Sequence, residues 1–188
     1  VPSHDASRPI DNIRPMNSSG VGPNGITNAL PPTVALQAQK AAKPIADSGH
    51  GLRSYGSAVA YGDGRILLAG GGDPPQAATQ SIDLTRPQPA FRALPPMSFA
   101  RRHFNLTLLP DGTALAIGGS SAAGFNNASG AVLATELWNP SSENWAALAP
   151  IAVPRLYHSV ALLLPDGRVL SAGGGHPSDS EGDGRVRR

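Results

Sequence analysis

The chain has 188 residues, enough for one ordinary domain, and its 15% charged residues and formal net charge of +2 are too weak a field to argue for a nucleic-acid or membrane partner. Cysteine is absent, which excludes a disulfide framework and a thiolate metal site. Gly (22) and Pro (19) are abundant and aromatics make up only 5%, a balance that favours short strands and many turns over helices.

Residues 1–48 differ from the rest of the chain. The stretch VPSHDASRPIDNIRPMNSSGVGPNGITNALPPTV is rich in Pro, Gly, Ser and Asn and has little periodicity. It predicts an irregular arm, with a short helix over VALQAQKAA. The chain opens on Val with no apolar signal core, so it is expected to be a processed chain or part of a longer one. No apolar run approaches the roughly 20 residues that a membrane helix needs. Asn17, Asn105 and Asn127 each begin a glycosylation triplet, but Asn105 falls inside a predicted strand, where modification is disfavoured.

From residue 49 to 188 the chain repeats itself. The copies are RSYGSAVAYGDGRILLAGGGD, RRHFNLTLLPDGTALAIGGS and RLYHSVALLLPDGRVLSAGGG. Each opens on Arg, runs through a short strand to an Asp-Gly turn, and continues through a second strand into glycines. Asp-Gly between apolar runs is a strong hairpin signal, because Gly accepts positive φ at low cost. The turns at Asp63, Asp111 and Asp166 are 48 and 55 residues apart. A period near 50 with a glycine cluster is the signature of kelch blades in a β-propeller. After the glycines, TQSIDLTRPQPAFRALPPMSFAR and TELWNPSSENWAALAPIAVPR pair with each other, predicting two further strands per repeat. Trp145 is expected to pack between blades. The glycines have no predicted helix behind them, so they read as tight backbone packing rather than a phosphate cradle. The predicted fold class is therefore all-β: an incomplete kelch propeller of two full repeats and the start of a third. A blade cannot cover its own faces, so the remaining blades are expected from a missing segment or a second chain.

Alignment of the copies puts Tyr55, His103 and Tyr157 in register, each two residues after an Arg. The first strand of such a repeat is innermost, so these side chains should converge on the central channel. Tyr157 and His158 stand together at the start of the third repeat. They read either as metal ligands or as a channel-lining Tyr beside a His bonded to a carbonyl. His103 has the same two readings, since imidazole suits copper or zinc. His50 and His176 sit in Gly-rich loops and His4 in the arm, where solvation is expected. Arg53, Arg101 and Arg155 recur at one repeat position, which favours a structural role joining blades over an anion-binding ring.

The stretches RLYHSVALLLPDGRV and ARRHFNLTLLPDGTALAIGG resemble the galactose oxidase and glyoxal oxidase family of copper-radical oxidases. The resemblance runs from about residue 50 to 188, and implies the middle of that family's seven-bladed propeller. It implies that Tyr157 and His158 are copper ligands, Tyr axial and His equatorial. It also implies an altered radical site. The family's radical is a second Tyr cross-linked to a Cys, and the repeat register places that Tyr at His103 and the Cys at Tyr55. The family's covering Trp would fall at Ser121. The activity implied by the resemblance is that of a secreted copper oxidase acting on primary alcohols, aldehydes or carbohydrates, with O2 reduced to H2O2. A non-catalytic kelch module that binds glycan or protein, or one chain of a multi-chain propeller, is the alternative.

Overall fold

The computed structural model describes residues 45–174. Nearly all of the predicted arm, its short helix, and His4, Asn17 and His176 lie outside the described residues. Those described are all-β, with one short 3-10 turn at Ala128–Gly130 and no α-helix. The strands are β1 (Ser57–Gly62), β2 (Arg65–Ala69), β3 (Thr79–Asp83), β4 (Phe91–Leu94), β5 (Arg102–Leu108), β6 (Ala114–Ser120), β7 (Thr135–Asn139), β8 (Asn144–Leu148), β9 (Ser159–Leu163) and β10 (Val169–Gly173). They form three antiparallel sheets in simple meander order: β1-β2-β3-β4, β5-β6-β7-β8 and β9-β10.

Each Asp-Gly pair closes a hairpin, as the sequence predicts. The first is tight, with Gly62 opposite Arg65. The other two are wider. Leu108 pairs with Ala114 and Leu163 with Val169, and Leu109 N–H and Leu164 N–H each close the loop on a carbonyl four residues later at 2.8 Å. Pro110 and Pro165 precede these aspartates, and proline has no N–H to extend a ladder.

The first strands of the three sheets lie side by side, β1 against β5 and β5 against β9. His103 N–H donates to Tyr55 O at 2.9 Å, and Leu106 N–H donates to Ser57 Oγ at 3.0 Å. On the other side of β5, the Asn105 amide donates to Ser159 Oγ at 3.0 Å and Thr107 Oγ to Ala161 O at 3.1 Å. This engagement occupies the Asn105 side chain, in keeping with its disfavoured glycosylation. The core lies between the first and second sheets. Leu67, Leu94, Ala114 and Trp138 form one cluster, and Ala69, Met97, Phe104 and Ala116 a second. Trp145 packs against both clusters and donates its indole N–H to Thr79 Oγ of the first sheet at 3.1 Å. Trp145→Phe keeps most of the packing but strands a hydroxyl that is 2% exposed. Urea unfolding should show a loss of about 1 kcal/mol; no loss would mean that the Thr79 hydroxyl finds another partner.

The repeated arginines knit the sheets together. Arg53 Nε donates to Gly70 O at 2.9 Å, Arg101 Nη1 to Gly118 O at 3.0 Å, and Arg155 Nη1 to Gly173 O at 2.8 Å. Each side chain thus bridges to the glycines of its own sheet. The backbone reaches the preceding sheet: Gly71 N–H donates to Arg101 O at 2.8 Å and Gly119 N–H to Arg155 O at 2.6 Å. The role is structural, but where the repetition predicts side chains that join blades, the guanidinium groups brace their own sheets and only the carbonyls of Arg101 and Arg155 join neighbours. The third sheet ends in an apolar face, with Val160, Leu162 and Leu170 on one side of it exposed.

Candidate metal centre

The starts of β1, β5 and β9 carry a cluster of rings. Tyr55 and His103 have centroids 4.2 Å apart, His103 and Tyr157 5.4 Å, and Tyr55 and Tyr157 5.9 Å. Tyr157 and His158 stack at 3.9 Å with their planes 24° apart. The predicted convergence of Tyr55, His103 and Tyr157 is therefore present. The predicted register needs one correction. The left-handed backbone that marks the repeat position occurs at Tyr55 (φ 61°), His103 (φ 57°) and His158 (φ 62°), not at Tyr157. The third copy has one more residue between its Arg and its Asp-Gly turn, so alignment on Arg assigns Tyr157 where alignment on Asp-Gly assigns His158. Left-handed backbone is rare for residues with a Cβ and collects at functional sites.

His103 is buried at 6% exposure, Tyr55 is 42% exposed, Tyr157 is partly buried and His158 is exposed. The cluster therefore opens on one side, with His103 at its floor. Its donors are two imidazoles (His103 and His158) and two phenols (Tyr55 and Tyr157), a nitrogen and oxygen set that suits Cu(II). Among the described residues, no group of three His, Cys, Asp or Glu converges to hold a metal. A tyrosine phenol is thus needed to complete even a three-donor set here, and Tyr157 is the one stacked on His158. Ser121 is exposed and donates its hydroxyl to Gly130 O at 3.2 Å.

Sequence reasoning missed Phe125. It stands in the loop 121–127 after β6, is 48% exposed, and meets Tyr157 at 4.7 Å, His103 at 5.3 Å and Tyr55 at 5.8 Å. Its signal was an aromatic alone in a run of Ala, Gly, Asn and Ser, which a connecting loop does not need for packing. Next to it, buried Asn126 accepts a hydrogen bond from Tyr157 N–H at 3.1 Å through Oδ1. The loop is also held by Asp73, whose carboxyl lies below its ordinary range because Gly124 N–H and then the Arg102 guanidinium bond it. A polar cleft of about 680 Å³ lies elsewhere, lined by Tyr61, Arg65, Asp83, Arg86, Arg92 and Glu143 at the opposite ends of the strands.

The family model described as glyoxal oxidase N-terminus matches residues 73–180, more than half of the chain and the segment that contains the ring cluster's His103, Phe125, Tyr157 and His158. The chain belongs to the glyoxal oxidase family. A galactose oxidase of Gibberella zeae is 34% identical over 130 residues, covering 64% of this chain and 19% of that protein. An aldehyde oxidase of Vitis pseudoreticulata is 38% identical over 105 residues, covering 53% of this chain and 20% of that protein. A solved structure of a fungal alcohol oxidase of the AA5 family, in complex with copper, superposes with a TM-score of 0.65 at 27% identity, covering 71% of this chain and 30% of that one. The chain thus spans about a fifth of the length of these curated relatives. The all-β fold and the family agree with the sequence-based resemblance. No helix among the described residues is long and apolar enough to cross a membrane.

Proposed function

We propose that this chain forms part of a secreted, copper-dependent oxidase of primary alcohols, aldehydes or carbohydrates, and that Tyr157, His158 and His103 hold the metal. The stacked Tyr157–His158 pair, facing His103 within one ring cluster, carries this reading. The three sheets are read as successive blades of a kelch propeller. Their first strands run side by side, and the same arginine-to-glycine bonds recur in each. The remaining blades, from the rest of the protein or from a second chain, would cover the apolar face of the third sheet and add further ligands.

Copper, when bound, supplies the redox chemistry by which an alcohol RCH2OH and O2 become an aldehyde RCHO and H2O2. The chain's own residues do the rest. The Tyr157 phenol and the two imidazoles supply donors, and His103 keeps water from the floor of the cluster. Phe125 presents an apolar edge beside them, against which the carbon face of a sugar or small aldehyde can pack. His103 stands where the repeat register puts the family's radical Tyr, and the chain has no Cys to cross-link. The radical site is accordingly read as altered. The missing Cys also favours a second reading, a non-catalytic propeller that binds glycan at the same ring cluster.

Metal analysis and copper spin resonance on the full natural protein test both readings. About one copper per propeller, lost in His158→Ala, is expected. No copper in the unaltered protein would leave the glycan-binding reading. Peroxide release from galactose or methylglyoxal by the copper-loaded protein would support the oxidase reading and show that the chemistry survives His103 at the position of the family's radical Tyr.

A further inference from the structure

We propose that Asp73 and Arg102 are positioning residues that clamp the loop 121–127 onto the ring cluster, an inference whose link to substrate rests on the proposed function above. The clamp closes on a single residue. Gly124 N–H donates to Asp73 Oδ1 at 3.0 Å, Arg102 Nη1 donates to Gly124 O at 3.0 Å, and Arg102 Nη1 meets Asp73 Oδ2 at 2.8 Å. Bonds to both the N–H and the carbonyl of one residue fix its orientation as well as its place. Gly124 itself has φ +90°, a conformation that favours glycine, and a Cβ there would meet nothing within 4 Å. Arg102 is rigidly seated: it is 4% exposed and its guanidinium lies 5.1 Å over the Tyr55 ring.

The loop carries the clamp's effect to the cluster through its next two residues. Phe125 meets three of the rings, and Asn126 accepts the Tyr157 N–H. The loop of the second sheet is therefore pinned by the first sheet at Gly124 and bonded to the third at Asn126. Asp73 comes from the turn after the first sheet's glycines, 51 residues away in sequence. With Asp73 half exposed, the ion pair by itself contributes little to stability. The value of this one lies in geometry, because it holds Phe125, against which substrate is proposed to pack, and slippage of that ring weakens binding without touching the reacting groups.

Hydrogen exchange on the full natural protein, copper-loaded, tests the clamp without any need for activity. Asp73→Ala is expected to speed exchange at Gly124 and at Tyr157 N–H by about tenfold or more, while β5 and β6 stay protected. Arg102→Lys keeps the charge but loses the planar fork, and should give a smaller rise at the same amides. Where the protein releases peroxide, Asp73→Ala should raise KM by about tenfold and leave kcat within about twofold. Unchanged exchange over 121–127 in both variants would overturn the clamp. Faster exchange at Gly124 with Tyr157 N–H and KM both unmoved would overturn its link to the site. Absence of peroxide from the unaltered protein would count against the oxidase reading alone, and the exchange of Gly124 and Tyr157 would still decide the clamp.

Discussion

Replacing Glu136 with Ala is expected to lower stability by about 3–5 kcal/mol. Arg101 and Glu136 are both fully buried, with Arg101 Nη2 and Glu136 Oε2 2.6 Å apart. Glu136 also accepts the Ser98 N–H at 2.6 Å. Truncation leaves a buried guanidinium with only the carbonyls of Gly118 and Ala134 to bond. The same position in the first sheet shows what a neutral partner can do. There Arg53 Nη1 donates to Gln80 Oε1 at 2.9 Å. Burial pulls Arg53 down to about 10, which still leaves it protonated at neutral pH. Burial lowers Arg101 as well, and the Glu136 charge offsets part of that. Glu136→Gln should therefore cost no more than about 2 kcal/mol. Urea unfolding of both variants is the check. Equal losses would show that the charge of Glu136 matters and its hydrogen bonds do not, and a loss under about 1 kcal/mol in the Ala variant would mean that water reaches Arg101.

A methyl group at Gly118 should be nearly as damaging, at about 2–5 kcal/mol. Gly118 has φ +76°, and a Cβ there would lie 2.5 Å from Arg155 O. That carbonyl precedes Leu156 and the Tyr157–His158 pair, so the clash would push the start of the third sheet away from the second. Copper binding should weaken along with stability. Gly112→Ala is the matched control: its φ is +82°, but nothing lies within 4 Å of the added carbon. It should lose only the backbone penalty, about 1–2 kcal/mol, with copper binding unchanged. Matching losses at the two positions would show that the contact with Arg155 is soft.

Much of this architecture is legible in the residues. The repeated Arg, Asp-Gly and glycine cluster locate every first and second strand, and the match of TQSIDLTRPQPAFRALPPMSFAR to TELWNPSSENWAALAPIAVPR locates the other two. Local signals suffice there because each is a turn or an alternation within a few residues. Two parts of the site were hidden for different reasons. Asp73 and Gly124 meet across 51 residues, and nothing in either local sequence announces the other. The repeat register at Tyr157 was ambiguous because the third copy carries one extra residue, and only the backbone angle at His158 decides it. Phe125 was readable as an odd aromatic in a polar loop, but its partners come from three different strands' ends and become visible only when the sheets are stacked.

The left-handed backbone at Tyr55, His103 and His158 has a consequence for any effort to harden this protein. Each of these residues holds a conformation that costs an L-residue about 1–2 kcal/mol and glycine almost nothing. Thermostability alone would favour glycine at all three. Glycine there would also delete both imidazoles of the proposed metal site and the Tyr55 ring packed against His103. Robustness and reactivity thus compete for the same three positions, and a variant selected only for heat resistance would be expected to lose its rings first.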